Sequence, residues 1–230
     1  MIILYLFICD HLCYPSMKKP VVFFDFDNTI TACDTFDGML PLFSRTKRWI
    51  TLERDWKKGR ISSRECLAGQ LQGLSLTRRS LDEYLSGIKL DPCFKDLLGL
   101  LRLKKIKTVV LSDNFDYILK SIFRNHGLPN LKFYCNQLSF KNGRMIAGFP
   151  LSGPECRICG HCKTRSLLAE AAGDEPIFYI GDGYSDSCPA RYAQVVFAKG
   201  ELSRLCQKRK IDFLPYRSLR DVYRYFNTRP

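Results

Sequence analysis

The sequence predicts an α/β fold: a doubly wound parallel sheet with helices on both faces. Three apolar runs, residues 21–24, 108–111 and 177–180, end abruptly in polar residues, as buried parallel strands do. Segments with helical spacing separate them and predict helical connections between parallel strands. A chain of 230 residues is long enough for one such domain with an insertion.

The first strand leads directly into two carboxylates, Asp25 and Asp27, followed by Asn28 and Thr29. Carboxylates at the end of a buried strand are costly unless they meet a cation or strong donors. A bound metal ion is the simplest partner. On this stretch alone, a polar turn with Asp27 or Asn28 as the turn residue is the alternative.

We expect the chain to divide into a core, residues 17–32 and 91–230, and an all-helical segment, residues 33–90, which is inserted after the first strand and forms a separate small layer. Within this segment, Ser62 and Glu65 predict a capping box, and Thr77 predicts the start of another helix. Asp91 and Pro92 predict the first residues of the helix that leads back to the sheet. We expect residues 1–16 to be a disordered extension or a misassigned start.

The second half of the chain continues the alternation of strands and helices. A strand is predicted at 131–135, a hairpin at 139–146 with Asn142-Gly143 in its turn, and a further strand at 195–197. Helical patterns cover about 115–125, 164–172, 201–207 and 219–226. These elements complete the predicted α/β domain.

The composition indicates which classes of binding partner and which cellular location suit the chain. The net charge of +13 and pI near 9.3 suit anionic ligands, but the basic residues are dispersed, so we expect neither a nucleic acid nor a membrane as partner. The eleven cysteines are an odd number, and Cys66, Cys93, Cys135 and Cys188 lie in apolar patterns typical of free thiols. We therefore expect a reducing, cytoplasmic location; the oligomeric state stays open.

Polar clusters follow three of the predicted strands: Asp25, Asp27 and Thr29; Ser112 and Asp113; Asp182 and Asp186. The carboxyl ends of parallel strands share one edge of a sheet, so these groups should converge. Convergent carboxylates favour Mg²⁺, which is usually shared with phosphate. Ser112, at the start of a helix, can hold an anion. Two aspartates suit phosphoryl transfer, one as nucleophile and the other as acid and base.

These residues resemble the four motifs of the haloacid dehalogenase superfamily. The resemblance covers residues 20–226 and rests on Asp25-Phe26-Asp27-Asn28-Thr29, Ser112, Lys163 and Gly181-Asp182-Gly183-Tyr184-Ser185-Asp186. The helical insertion is similar to the cap of phosphoserine-phosphatase-like members. The strand at Tyr134, the hairpin and the cysteine loop look more like the methylthiopentenyl-phosphate phosphatases of methionine salvage.

The resemblance implies a Rossmann-like core and a role for each motif residue. Asp25 would be the nucleophile and Asp27 the general acid and base. Asp25 and Asp182 would bind Mg²⁺ through side chains, Asp27 through its carbonyl, and Asp186 through water or neighbouring bonds. Ser112 and Lys163 would hold the phosphoryl group, and Thr29 would belong to the same phosphate-binding part by orienting its loop.

Two features depart from this pattern or stand outside it. Asp113 and Asn114 occupy positions where the phosphoserine-phosphatase-like branch typically has glycine, and an added carboxylate would repel an anion unless it faces away or contacts the substrate. The loop Cys156-x-x-Cys159-Gly160-His161-Cys162 offers four soft ligands and could hold a structural Zn²⁺. Packed thiols around Gly160 are the preferred interpretation, because only one such knuckle is present.

The sequence thus predicts a Mg²⁺-dependent phosphatase acting on a small phosphorylated metabolite through an aspartyl-phosphate. A phosphotransferase would use the same residues. A basic, zinc-knuckle nucleic-acid-binding protein is a third reading, but it leaves the convergent carboxylates unexplained.

Overall fold

The computed structural model describes residues 18–152, 159–171 and 173–228, and within these ranges seven strands form one sheet. The strands are β1 Val21–Phe24, β2 Lys107–Phe115, β3 Phe133–Lys141, β4 Arg144–Gly148, β5 Ile177–Gly181, β6 Val195–Ala198 and β7 Leu214–Pro215. Their order is β4-β3-β2-β1-β5-β6-β7, and every neighbouring pair is parallel except β3 and β4. The predicted α/β class is confirmed.

The α-helices of the described residues follow the predicted alternation. They are α1 Leu40–Phe43, α2 Arg48–Lys57, α3 Ser63–Gly73, α4 Arg78–Ser86, α5 Phe94–Leu103, α6 Asp116–Asn125, α7 Lys163–Glu170, α8 Gly200–Arg209 and α9 Leu219–Asn227. None of them is both long and apolar enough to cross a bilayer. The expected extension at residues 1–16 lies outside the described ranges.

Helices cover both faces of the sheet, and the side chains of its central strand β1 are apolar on each face. Val22 and Phe24 of β1 pack into a cluster with α5, α6 and α9. Val21 and Phe23 pack into a second cluster with α7 and α8. All four side chains are buried, which explains why β1 reads as a continuous apolar run.

The segment 33–90, expected to form a cap, contains α1 to α4, and we call it the helical insert. The two segments that connect the insert to the core are paired by an antiparallel bridge between Thr31 and Leu90. Ser62 and Glu65 form the predicted capping box at the start of α3, and the Thr77 side chain accepts a hydrogen bond at the start of α4. Buried residues of the insert belong to the same apolar cluster as α5 and α6. Its independence as a domain stays a prediction.

Several element boundaries differ from the sequence prediction. Helix α5 begins at Phe94, two residues later than predicted, after a turn at Pro92 and Cys93. The Asp91 carboxylate accepts the Cys93 amide, as a helix cap does, and also accepts the Leu219 amide. Strand β2 continues through the polar residues to Phe115, where its register with β3 shifts.

The remaining local predictions have mixed outcomes. The β3–β4 hairpin turns at Asn142 and Gly143, which have the positive φ angles of 50° and 70° that the Asn-Gly pair predicts. Among the cysteines expected to lie in apolar surroundings, Cys66, Cys93 and Cys135 are buried. Cys188 is exposed, because it lies in the loop between β5 and β6 instead of a strand or helix.

Glu170, the last residue of α7, ties that helix to two strands of the sheet. Its carboxylate lies 2.9 Å from the Lys107 ammonium of β2 and 2.7 Å from that of Lys132, and it accepts a hydrogen bond from the Tyr134 hydroxyl of β3. Burial would raise the pKa of Glu170, but the hydrogen bonds from Lys132, Tyr134 and Lys107 outweigh it and lower the pKa to about 2.

We predict that Glu170→Gln lowers the free energy of unfolding at pH 7 by about 2 kcal/mol, the scale of hydrogen bonds to a charged group. Because the folded-state pKa is depressed, this stabilisation is present above the usual value of 4.5 and disappears as the pH falls towards 2. Urea unfolding of wild type and variant between about pH 7 and pH 3 tests this.

The control is Glu83→Gln, which removes a carboxylate whose side chain is 66% exposed and paired only with Arg79 on α4. It should change stability by less than about 0.5 kcal/mol at every pH. A Glu170→Gln deficit that stays constant down to the lowest pH would contradict the assignment.

Candidate active site

The polar ends of β2, β1 and β5 meet, because these strands are neighbours in the sheet and parallel. Asp25 follows β1, Ser112 lies in the last part of β2, and Asp182 follows β5. Lys163, the first residue of α7, reaches the same place from 138 residues beyond Asp25. The structure therefore brings together residues that the sequence scatters over more than 150 positions.

Lys163 lies between two buried carboxylates. Its ammonium donates to Asp25 Oδ1 at 2.5 Å and to Asp186 Oδ1 at 2.7 Å. Burial alone would lower the pKa of Lys163, but the charges of Asp186 and Asp25 outweigh it and raise the pKa. Burial and the repulsion of Asp186 raise the pKa of Asp25 even though Lys163 opposes this. The lysine stays charged and only partly compensates the site.

Asp186 is the most completely bonded carboxylate of the site. One oxygen accepts from Lys163 and from the Tyr179 hydroxyl at 2.7 Å each. The other accepts from the backbone amides of Asp182 at 3.1 Å and Gly183 at 2.9 Å. With four donors on its two oxygens, Asp186 is suited to hold Lys163 and the turn after β5, and less suited to bind a metal ion directly.

The site fits a divalent metal ion. Asp25, Asp182 and Asp186 each offer a carboxylate oxygen, and the three atoms lie within 4.8 Å of one another. Burial and the charge of Asp186 raise the pKa of Asp182 to about 6, which indicates that nearby positive charge does not balance the three carboxylates. An all-oxygen set of this kind suits Mg²⁺. Asp25 and Asp182 have the freer oxygens and would be its side-chain ligands.

Asp27 lies apart from this ion-pair cluster and has its own partners. Its Oδ1 accepts from the Thr35 amide at 2.8 Å and the Thr35 hydroxyl at 2.5 Å. Its Oδ2 accepts from the Asn114 amide at 3.0 Å, and the same amide donates to Thr35 Oγ1 at 2.8 Å. Burial and the nearby charge of Asp34 raise the pKa of Asp27 to about 7. The two aspartates of the first motif are therefore chemically distinct.

Ser112 presents its hydroxyl to the same place. The backbone amide of Asn114 donates to Ser112 Oγ at 3.0 Å, which leaves the hydroxyl hydrogen available to an anion. Asp113, whose charge could oppose an anion, accepts the His161 backbone amide at 3.0 Å and is held by that contact. Burial raises the pKa of Asp113, whereas the charge of Lys163 and the His161 hydrogen bond oppose this shift.

His161 joins the end of β2 to α7. Its Nδ1 lies 2.9 Å from the Ser112 carbonyl oxygen, and its Nε2 lies 2.7 Å from Ser166 Oγ. Burial lowers its pKa to about 4, so the ring is neutral. Both ring nitrogens are thus engaged in hydrogen bonds within the described part of the chain. Cys159 and Cys162 belong to the described residues and Cys156 lies outside them, so a structural Zn²⁺ at this loop stays a prediction.

Thr29, expected to orient its loop as part of the phosphate-binding set, is fully buried and is not among the residues that line the cavity. Its role towards phosphate stays a prediction. Its hydroxyl donates to Asp182 Oδ1 at 3.2 Å and lies 3.4 Å from the Tyr216 hydroxyl, which itself donates to the Gly181 carbonyl. Thr29 thus orients Asp182, and the left-handed backbone of Asn28, with φ of 55°, turns the chain towards it.

A cavity of about 310 Å³ lies between the edge of the sheet and the helical insert. Its sheet side contains the predicted residues Asp25, Asp27, Ser112, Lys163 and Asp182. Its other side is formed by residues of the insert, which include Asp34, Phe36, Asp37, Glu53, Trp56, Lys57, Cys66, Leu67 and Gln70. Asp186 lies behind the cavity, fully buried.

Four residues position the site in ways that the sequence analysis did not predict. Thr35 and Asn114 hold Asp27, Tyr179 holds Asp186, and His161 holds the Ser112 segment. Asn114 could have been suspected, since it lies in the polar end of a strand two positions after Ser112. Thr35 lies in an unremarkable loop, and Tyr179 reads as one more apolar strand residue.

Comparison with known proteins assigns the chain to a family. The family model described as haloacid dehalogenase-like hydrolase matches residues 22–191, which include every motif named above. The chain belongs to this family. The resemblance stated from the motifs is thereby confirmed.

Two curated relatives carry the same name, 2-hydroxy-3-keto-5-methylthiopentenyl-1-phosphate phosphatase. The protein of Brevibacillus brevis is 26% identical over 211 residues, which are 90% of this chain and 95% of the relative. That of Exiguobacterium sp. is 27% identical over 209 residues, which are 87% and 94% of the two chains. With the family model, these relatives confirm the predicted enzyme class, a haloacid dehalogenase-type phosphatase.

The fold has a counterpart among solved structures. A phospho-aspartyl intermediate analogue of phosphoserine phosphatase superposes with a TM-score of 0.70 at 20% identity. The match covers 91% of this chain and 99% of that one. At this identity the likeness concerns the fold, which is that of the haloacid dehalogenase family including its helical insert.

We predict that Mg²⁺ stabilises the protein by binding at Asp25 and Asp182. At a concentration a hundredfold above Kd it should raise the unfolding free energy by about 2.7 kcal/mol, which corresponds to about 5–10 °C in Tm. Asp182→Asn should remove most of this shift, because it removes one of the two freer carboxylates. Thermal unfolding with and without Mg²⁺ measures it.

The matched control is Asp174→Asn, which changes a carboxylate whose side chain is 96% exposed at the surface. This variant should keep the full shift. If Asp182→Asn also kept it, the metal ion would not bind where the carboxylates converge.

Proposed function

We propose that this protein is a Mg²⁺-dependent phosphatase that hydrolyses a small phosphate monoester through an aspartyl-phosphate on Asp25. The observation that supports this most strongly is that Asp25 and Asp27 have different hydrogen-bond partners and different electrostatic surroundings. Asp25 is paired with the charged Lys163 on the sheet side of the cavity. Asp27 has separate hydrogen bonds and a pKa near 7, raised by burial and by Asp34.

In the first step, an oxygen of Asp25 attacks phosphorus and the bond to the substrate's ester oxygen breaks. Asp27 donates its proton to that oxygen, and the alcohol leaves. Lys163, which already contacts Asp25, and the Ser112 hydroxyl stabilise negative charge on the phosphoryl oxygens. Thr35 and Asn114 keep Asp27 directed at the leaving group by fixing both of its oxygens.

In the second step, water attacks phosphorus of the aspartyl-phosphate, Asp27 accepts a proton from that water, and inorganic phosphate leaves. This returns Asp25 to a free carboxylate and Asp27 to its protonated form. When bound between Asp25 and Asp182, Mg²⁺ would neutralise charge between nucleophile and phosphate. The Asp27 carbonyl, which accepts no backbone hydrogen bond in the described part of the chain, is a further ligand candidate.

The helical insert covers the cavity and would exclude bulk water while the alcohol leaves. The ring of Trp56, in α2 of the insert, contacts the ring of Tyr184, after β5 of the core. The two rings meet edge to face, with centroids 5.8 Å apart. Opening and closing of the insert at Thr31 and Leu90, where its two ends pair, would admit the substrate.

The relatives suggest two candidate substrates for a screen. One is the methylthiopentenyl phosphate ester in the names of the curated relatives, an intermediate of methionine salvage. The other is phosphoserine, after the solved structure that shares the fold. Phosphate release from both esters, with product analysis in the presence of a competing alcohol, separates hydrolysis from phosphotransfer.

We predict that Asp25→Asn lowers kcat for phosphate release at least about a thousandfold, the scale of losing an essential catalytic group. In wild type, acid quenching during turnover should trap protein-bound phosphate that hydroxylamine releases, as it does from acyl phosphates. Asp174→Asn is the matched control and should behave as wild type. Retention of a tenth of the activity by Asp25→Asn would contradict the proposed nucleophile.

A further inference from the structure

The side of the cavity formed by the helical insert carries an excess of negative charge. Asp34, Asp37 and Glu53 line it, whereas the cation that this side contributes is Lys57. That ammonium already donates to Glu53 at 2.5 Å within α2. Glu201, at the start of α8, adds another carboxylate to the rim. The phosphate end has Lys163 and a metal site to offset its aspartates, but this end has no comparable compensation among the described residues.

The carboxylates repel one another, as their proton affinities indicate. Burial and the charge of Asp37 raise the pKa of Asp34 to about 7. Asp37 is exposed to solvent, but partial loss of hydration beside the surrounding protein and the charge of Glu53 raise its pKa to about 6, against the opposing effect of Lys57. A cation placed among these groups would relieve the repulsion.

A second feature of the same wall also indicates a ligand. Gln70 of α3 is 3% exposed and lines the cavity. The hydrogen bonds of the described residues include none to its side-chain amide, and neither amide atom is among the fully buried polar atoms without a partner. The amide is therefore open to the cavity, where its carbonyl oxygen can accept a hydrogen bond from an N–H donor. Trp56 adds an aromatic surface beside it, which favours a cation over an anion.

From these observations we infer that the preferred substrate is an aminoalkyl phosphate, whose primary ammonium binds among Asp37, Glu53 and Gln70 while its phosphate meets Asp25 and Lys163. The ammonium has three N–H donors, which suit two carboxylates and an amide oxygen. Phe36, Cys66 and Leu67 provide the apolar wall for the carbon chain between the two charged ends. This inference rests on the proposed phosphatase function and specifies its substrate.

The inference separates this chain from the substrates suggested by its relatives. The ester in the names of the curated relatives has hydroxyl, keto and methylthio groups and no amine. Phosphoserine has an amine but also a carboxylate, which the acidic wall would repel. The negative wall therefore favours an ester that is cationic at the end opposite to phosphate.

The test compares three esters of similar length with the full chain and Mg²⁺: aminoethyl phosphate, hydroxyethyl phosphate and carboxymethyl phosphate. We expect kcat/KM to fall at least about tenfold from the cationic to the neutral ester, and further to the anionic ester, because each change removes or reverses a charge-assisted contact. Equal rates for the cationic and neutral esters, or a faster neutral ester, would overturn the inference.

Glu53→Gln provides the sharper test, because it removes the carboxylate to which Lys57 donates and leaves that cation in the wall. The ratio of kcat/KM for the aminoethyl ester to that for the carboxymethyl ester should fall at least about a hundredfold, the product of a lost attraction and a gained one. Asp37→Asn, a second variant on another part of the wall, should lower the same ratio about tenfold.

The control is Glu83→Gln on α4, which breaks an equivalent pair with Arg79 four residues away but lies outside the cavity. Its ratio should match wild type, and a change as large as that of Glu53→Gln would overturn the inference. If wild type hydrolysed none of the three esters and no other phosphate monoester, the phosphatase proposal itself would fail. Hydrolysis without preference would refute only the substrate class.

Discussion

The contact between Lys163 and the two carboxylates of Asp25 and Asp186 is the interaction on which the site depends. All three side chains are at most 10% exposed, so none of these charges can rely on water. Removing one partner from such a buried cluster leaves another charge uncompensated, which typically costs about 3–5 kcal/mol. Neighbouring residues hold this cluster in place. Tyr179 and the backbone amides of Asp182 and Gly183 donate to Asp186. The contact of His161 with Ser112 fixes the segment that leads into Lys163 at the start of α7.

This arrangement produces two aspartates with different chemistry from nearly the same sequence. Asp25 meets an ammonium and a metal site, which favour its ionised form, although burial works in the other direction. Asp27, two residues later, meets only neutral donors, the Thr35 amide and hydroxyl and the Asn114 amide. A carboxyl with neutral partners and a nearby Asp34 can carry a proton near pH 7. These surroundings support the proposed roles of Asp25 as nucleophile and Asp27 as proton donor.

The helical insert extends the same electrostatic pattern to the far side of the cavity. It is joined to the core through shared apolar packing as well as through its two chain connections. Apolar residues of the insert, such as Phe36, continue into contacts with Phe115 at the end of β2, 5.5 Å between ring centroids. The wall that faces the reacting phosphate is thus positioned by the hydrophobic core. Its carboxylates and the buried Gln70 amide would then select the group at the other end of the substrate.

The sequence by itself determined the α/β class, the neighbouring parallel strands and the motif residues Asp25, Asp27, Ser112, Lys163 and Asp182. These features follow from local patterns. A strand that is buried on both faces needs a continuous apolar run, so such runs and the polar residues that end them can be recognised in the sequence. Local patterns did not predict that the Asp91 carboxylate also accepts the distant amide of Leu219. They also did not predict that Thr29 donates to Asp182, which lies 153 residues away. Only the tertiary structure decided that Asn114 and Thr35 hold Asp27, that Asp113 is held by a backbone amide, and that Asp37, Glu53 and Gln70 face the active site. Those outcomes depend on how the helical insert packs over the sheet edge, and the packing of two surfaces is not encoded in the spacing of residues on either one.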